Sequence, residues 1–213
     1  MQRTTKFSIV TIIIMTLLSF SNLFGIMAAG STVIIGIVAF FVDKKIRKQA
    51  FAGSGLDFKT FGQNLKNRTI WLWIAMPLIM NIICLLLSKL LFPQYLDHVF
   101  KRTATVLTND KIILLVIELL LLSLGEEIAW RAFYFNRIRN IIPATPALIF
   151  SSMLFAISHI QSGDFMIVAY DVLFVFINCI FYGIVFKKTN NSCISWISHF
   201  AANLFAVVVL VLI

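Results

Sequence analysis

The sequence predicts an all-α fold, a polytopic membrane helix bundle of about seven transmembrane helices. Hydrophobic residues make up 60% of the 213, and only 13% are charged. The apolar residues gather into runs that match a bilayer core, which takes about 20 residues per helix. A mean hydropathy of +0.96 is one that no water-soluble domain of this size keeps dispersed. At that span length the chain holds roughly six to eight crossings and little soluble structure, so any function sits among the helices of a single membrane domain.

Eighteen Lys and Arg stand against nine acids, a net charge of +9. The basic residues lie in short loops between apolar runs, the positive-inside pattern of a membrane protein, rather than in the surface patch a nucleic-acid partner needs. Cys84, Cys179 and Cys193 fall in or beside apolar segments with no C-x-x-C pair, and read as small buried hydrophobes.

The first apolar run, Phe7 to Val42, would make a helix about 54 Å long, nearly twice the hydrocarbon thickness. It should therefore break into a hairpin in the Ser19 to Gly30 region, which carries Asn22, Gly25 and Gly30. The competing reading is a cleavable signal peptide ending near Ala28-Ala29 behind Arg3 and Lys6; the run is long for that. Residues 43 to 69 hold seven basic residues against Asp43 and Asp57 and include Gly53-Ser54-Gly55, so they read as a basic cytoplasmic loop. A third span covers Ile70 to Phe92, with Trp71 and Trp73 as interface anchors and Pro93 as its stop. A polar connection runs to about Lys111. The fourth helix starts at Ile112 and, lacking proline, should continue through Glu126 and Arg139 until Asn140 and Pro143. Spans over Ala144 to Ile160, Phe165 to Phe186 and Cys193 to Ile213 complete the set. With a cytoplasmic N-terminus, this arrangement puts the basic loop, Arg137, Arg139, Lys187 and Lys188 inside, leaving Lys101, Arg102 and Lys111 outside. Residues 1 to 92 then read as accessory helices and 112 to 205 as the core.

Ionisable groups within spans are costly and are functional hypotheses by default. Adjacent carboxylates on a helix diverge by about 100°, so Glu126 and Glu127 should not share one task. Glu127, four residues before Arg131, has the favourable ion-pair orientation and reads as a structural bridge. Glu126 is then free to face a cavity as a general base. Helices four and five turn near Ile141 to Pro143; counting back to Glu126 and forward to His159 gives about 16 residues, or 24 Å, on each arm. The two side chains should sit at one depth, with Phe155 packing beneath the His159 imidazole. His199 and Asn203, one turn apart, can present two donors to one oxyanion. Glu118 should pair with Lys111 or Lys89, Asp171 and Asn178 should support structure, and His98, in a polar loop, should be solvated. Ser151, Ser152, Ser158, Gly183, Ser195 and Ser198 suit close helix packing.

Glu126-Glu127-x-x-x-Arg131, Phe155-x-x-x-His159 and His199-x-x-x-Asn203, in that order on successive membrane helices, resemble the CAAX protease and bacteriocin-processing family, also called the Abi family, over about residues 112 to 205. The resemblance implies peptide-bond hydrolysis in or near the bilayer. Glu126 and His159 would activate water, and His199 and Asn203 would hold the oxyanion. No cofactor is expected, since Asn is a poor ligand and no H-E-x-x-H occurs; zinc held by Glu126, His159 and His199 is the alternative. The partners implied are membrane lipids and a membrane-associated peptide or protein substrate, in a bacterial cell membrane, with a link to bacteriocin processing or self-immunity. The rival readings are a non-catalytic immunity or scaffold protein, whose polar residues only join helices, and a proton-coupled transporter, against which no paired repeats are visible.

Overall fold

The computed structural model describes residues 5–26, 28–103 and 112–212. Arg3, Lys111 and Ile213 lie outside the described residues, and with Lys111 goes one of the two partners expected for Glu118. The described residues form helices, with no strand among them.

The first apolar run breaks where its polar and glycine residues allow. Helix α1 (Lys6–Ser19) is capped by the Thr5 side chain, which accepts from the Ser8 amide. A single 3-10 turn, Ser21–Phe24, follows. Gly25 then reverses the chain at a φ of 72°, a left-handed conformation that costs glycine little. Asn22 donates to the Ser158 and Ile160 carbonyls, fixing this turn against the far end of a later helix. Helix α2 (Ser31–Ile46) returns antiparallel.

Helix α2 runs past the expected boundary at residue 43, because Asp43 finds partners inside the fold. It is fully buried, accepts from Thr5 and Ser8, and pairs with Arg47 at 2.9 Å and Arg137 at 2.7 Å. The basic loop begins only after α2, and it is tied to the bundle. The Ser192 amide donates to the Gly55 carbonyl at 2.7 Å, Asn191 donates to the Asp57 carbonyl at 2.6 Å, and the loop carries helix α3 (Phe61–Lys66).

Helix α4 (Arg68–Leu91) is the expected third span. Trp71 is about half exposed and donates to Leu65, while the Trp73 ring lies 5.2 Å from the Lys188 ammonium. The connection after it holds an unexpected helix, α5 (Tyr95–Thr103). It places Tyr95 and Val99 inward and the charged Lys101 outward, a two-sidedness too short to register as a span.

Helix α6 (Ile112–Glu127) continues without a break into Ile128–Phe135 and then α7 (Asn136–Ile138), so the fourth helix reaches the Asn140 region as expected. Its middle differs, since Ile128–Phe135 is π-helical and every residue in it is buried. Single-turn π segments are usually bulges at functional sites; here the wider turn follows directly on Glu127. Gly36 of α2 packs against it, at a spot where a Cβ would lie 2.8 Å from the Ala129 Cα.

Helix α8 (Ala144–Ile157) stops at Ile157 rather than Ile160, because Ser158 and His159 turn back to bond the Phe155 carbonyl. Helices α9 (Phe165–Thr189) and α10 (Ser192–Leu212) close the bundle. By length and apolarity, four segments can each cross a bilayer: Lys6–Phe24, Arg68–Leu91, Phe165–Thr189 and Ser192–Leu210. The remaining apolar helices α2, α6 and α8 are shorter, at 16, 16 and 14 residues, so length alone does not establish seven crossings.

Hydrogen bonds and ion pairs sort the loops into two ends. One end joins residues 43–60, 136–145 and 187–192, through Asp43 with Arg137, Asn136 with Ser54, Arg139 with Asn190 and Lys187 with Thr145. The other joins 20–26, 95–103 and 158–171, through Asn22 with Ser158 and Ile160 and through Arg102 with Asp171.

Candidate active site

Glu127 is the most enclosed charge in the site, with none of its surface exposed. Its Oε2 accepts from the Ser195 hydroxyl at 2.5 Å and lies 3.6 Å from Arg131 Nε, and its Oε1 faces His199 Nδ1 at 3.0 Å. The expected Glu127–Arg131 pair therefore forms, but it is one part of a larger network. Arg131 also donates to the Cys179 carbonyl at 3.2 Å and to its sulfur at 2.9 Å. Cys179 is thus a polar partner as well as a buried hydrophobe.

Glu126 points to a cavity, and 22% of its side chain is exposed. Its Oε2 lies 3.3 Å from His199 Nε2. The two carboxylates diverge as expected, yet they bracket one imidazole by its two nitrogens. An ionised carboxylate only accepts, so Nδ1 carries the proton given to Glu127, and this fixes which ring edge turns toward Glu126. Tyr182 stacks on the same ring, with centroids 4.3 Å apart and planes 17° from parallel.

His159 is held by its own helix. Its Nδ1 bonds the Phe155 carbonyl at 2.8 Å, which leaves Nε2 of a neutral ring as an acceptor. The Phe155 ring lies 4.5 Å from His159, as its spacing predicts, and also 6.1 Å from His199 and 5.2 Å from the Arg131 guanidinium. Phe155 therefore packs against all three motifs' charged or imidazole groups.

Glu126, His159, His199 and Asn203 all line one cavity of about 330 Å³, the four residues that the sequence singles out for chemistry. Their walls come from α4, α5, α6, α8, α9 and α10. Tyr182 escaped the sequence reading, and Ser195 entered it only as a small residue suited to close helix packing. Ser195 had a signal, standing four residues before His199 and so on its face of α10; Tyr182 had none, because only the packing of α9 brings it there.

A second polar cluster lines the cavity toward its α5 side. Asp171 is 1% exposed, bonds Arg102 at 2.6 Å, accepts from Tyr95 at 3.2 Å and lies 3.5 Å from His98 Nε2. Burial, reinforced by the Asp171 carboxylate, pushes the Tyr95 hydroxyl above its ordinary range, which keeps it a donor. His98 is not solvated: only 10% of its side chain is exposed, because α5 folds its polar face onto α9. Asn178 donates to Asn81 at 2.7 Å, joining α9 to α4. Among the described residues, no three or more His, Cys, Asp or Glu side chains stand close enough to hold a metal ion, so the Glu126, His159 and His199 set does not fit zinc as placed.

The fold and this cavity define an integral membrane protein that encloses a carboxylate and imidazole site among its helices. The model of the family described as type II CAAX prenyl endopeptidase Rce1-like matches residues 108–205, a segment that contains all three motifs, so this part of the chain is similar to that family. The match points to a CAAX-type intramembrane endopeptidase. No curated protein and no solved structure matches the chain.

Proposed function

We propose that the chain hydrolyses a peptide bond of a membrane-associated peptide with a water activated by Glu126, and that this activity serves bacteriocin processing or self-immunity. The observation that carries the reading is the convergence of Glu126, His159, His199 and Asn203 on one cavity. Glu126 is the partly exposed carboxylate, able to take a proton from water, and the His159 ring offers Nε2 as a second acceptor to orient it. As water adds to the scissile carbonyl, its carbon becomes tetrahedral and its oxygen gains negative charge. The Asn203 amide can donate to that oxygen, and His199 can join it through Nε2 when that nitrogen carries a proton in addition to the one on Nδ1. Glu127, through Ser195 and Arg131, holds the His199 ring in orientation and does not touch substrate. Protonation of the leaving amine by the proton that Glu126 collected completes the cleavage. No step needs a metal ion.

The test is hydrolysis of membrane-anchored peptides, prenylated and unmodified, by purified protein in liposomes. We expect Glu126→Gln to abolish cleavage while a chelator leaves it intact. Loss with chelator as well would restore zinc. Cleavage that survives Glu126→Gln would remove Glu126 as the base, and no cleavage by wild type together with an immunity phenotype unchanged in Glu126→Gln would make these polar residues the joints of a scaffold.

A further inference from the structure

One acceptor in the cavity wall lacks a donor among the described residues: Oδ1 of Asn178. Asn178 stands on α9 with 9% of its surface exposed, and it lines the same cavity as Glu126, His159, His199 and Asn203. Its Nδ2 donates to Asn81 Oδ1 at 2.7 Å, while its own Oδ1 is buried and unpaired. Buried polar atoms are nearly always hydrogen-bonded, so an unpaired one in a site calls for a bound partner. We propose that Asn178 is a substrate-binding residue whose Oδ1 accepts a main-chain N–H of the peptide beside the bond that is cut. The peptide comes from the protease reading above; the free acceptor comes from geometry alone.

A chain of bonds fixes which atom of Asn178 is free. The Ala202 carbonyl can only accept, so Asn81 turns its NH₂ toward it, at 3.0 Å. Asn81 Oδ1 then faces Asn178, which must answer with its own NH₂. What remains for the cavity is the Asn178 oxygen. Flipping Asn178 alone would set two oxygens together, and flipping both amides would set the Asn81 oxygen against the Ala202 carbonyl. Three helices, α4, α9 and α10, therefore hold this acceptor in one polarity.

Its place is beside the proposed chemistry. Ala202 precedes Asn203 on α10, and Asn178 lies one turn before Tyr182, whose ring stacks on His199. One turn of α9 is about 5 Å, and an extended peptide advances about 3.3 Å per residue. The N–H that Asn178 receives is thus about one or two residues from the scissile carbonyl. Asn203 offers a donor for a carbonyl and Asn178 an acceptor for an N–H, so together they read a peptide main chain without reading its side chains. A proline, which has no N–H, is the residue this contact rejects.

The test uses membrane-anchored peptides, prenylated and unmodified, in liposomes, with each main-chain N–H replaced in turn by an ester oxygen. KM and kcat are measured for wild type, Asn178→Leu and Asn178→Ala. The Kd of fluorescent copies is measured on Glu126→Gln protein with and without each Asn178 change. In wild type, the ester at one position should raise KM by about 2–10-fold, the worth of a neutral hydrogen bond, and weaken binding by the same factor. In Asn178→Leu the parent peptide should lose that factor, and the ester and its parent should behave alike. Asn178→Ala gives the same comparison if the leucine variant does not fold. An ester penalty that survives in the Asn178 variants, or no position at which the ester matters, overturns the proposal. A merely structural Asn178 gives the first of these results, because a loosened site lowers the handling of every peptide and keeps the ester's penalty. Asn178-dependent ester discrimination in binding with no cleavage of any peptide removes the protease reading and leaves the contact standing. Cleavage without that discrimination does the reverse.

Discussion

Replacing Glu127 by Gln separates the carboxylate that holds the site from the one that acts in it. The change keeps shape and removes charge from a residue with no exposed surface, beside an Arg131 that is 2% exposed. One amide oxygen can still accept, so Ser195 or His199 keeps a partner while the other meets an NH₂ donor. Arg131 keeps its two bonds to Cys179 but loses the nearby anion. Removing one member of a buried pair costs about 3–5 kcal/mol because the other charge is left uncompensated. The surviving bonds argue for the lower figure, about 3 kcal/mol. A chain of this length loses roughly 2–4 °C of Tm per kcal/mol, so a drop of roughly 6–12 °C is expected. Thermal unfolding in detergent, followed by tryptophan fluorescence, reads it, since Trp130 is buried in the π-helical segment itself. Hydrolysis should fall in the same variant, because His199 loses the acceptor that orients it. A Glu127→Gln protein with wild-type Tm and wild-type hydrolysis would refute the idea that this network organises the site.

Glu126→Gln should behave in the opposite way: hydrolysis falls by about 10²–10⁴-fold, the usual worth of a general base, while Tm stays near wild type because the side chain is partly exposed and has one close ionic contact. Gly36→Ala should cost about 1–3 kcal/mol of stability and lower activity with it, since the new methyl meets the Ala129 backbone and pushes α2 off the π-helix; Tm and hydrolysis measured together check this. At the α5 side of the cavity, Arg102→Met should destabilise by about 3 kcal/mol and Asp171→Asn by only about 1 kcal/mol. The first strands a buried carboxylate, whereas the second leaves a guanidinium that is 20% exposed and can reach water. Equal Tm losses in the two variants would contradict that account.

Much of the fold was legible because lipid makes hydropathy a direct reading of structure. The hairpin near Ser19 to Gly30, the long fourth helix and the last two spans follow from run length and from proline and glycine positions. The misses share a cause. Helix α5 is short and two-sided, so it looks like a polar connection until its inner face meets α9. Asp43 was assigned to the basic loop and His98 to solvent, yet each has partners brought in by distant segments, Asp43 from Thr5, Ser8 and Arg137 and His98 from Asp171. No local pattern announces a partner many residues away.

Depth and direction are different problems at the site. Equal counts from the turn at residues 141–143 placed Glu126 and His159 at one depth, and both do line the same cavity; that is arithmetic on helix rise. Direction around each axis is not arithmetic. The regular-helix rule correctly made Glu126 and Glu127 diverge, but it did not show that the close contact of Glu126 is with His199. Three things set that choice: Tyr182 stacked on the imidazole, Ser195 and Arg131 holding Glu127, and the Phe155 carbonyl occupying the His159 ring. Each belongs to a helix other than α10 or to a residue that carries no charge. The chemistry-bearing types were therefore visible in the sequence, whereas the pairing that gives each its role is written in the uncharged residues packed around them.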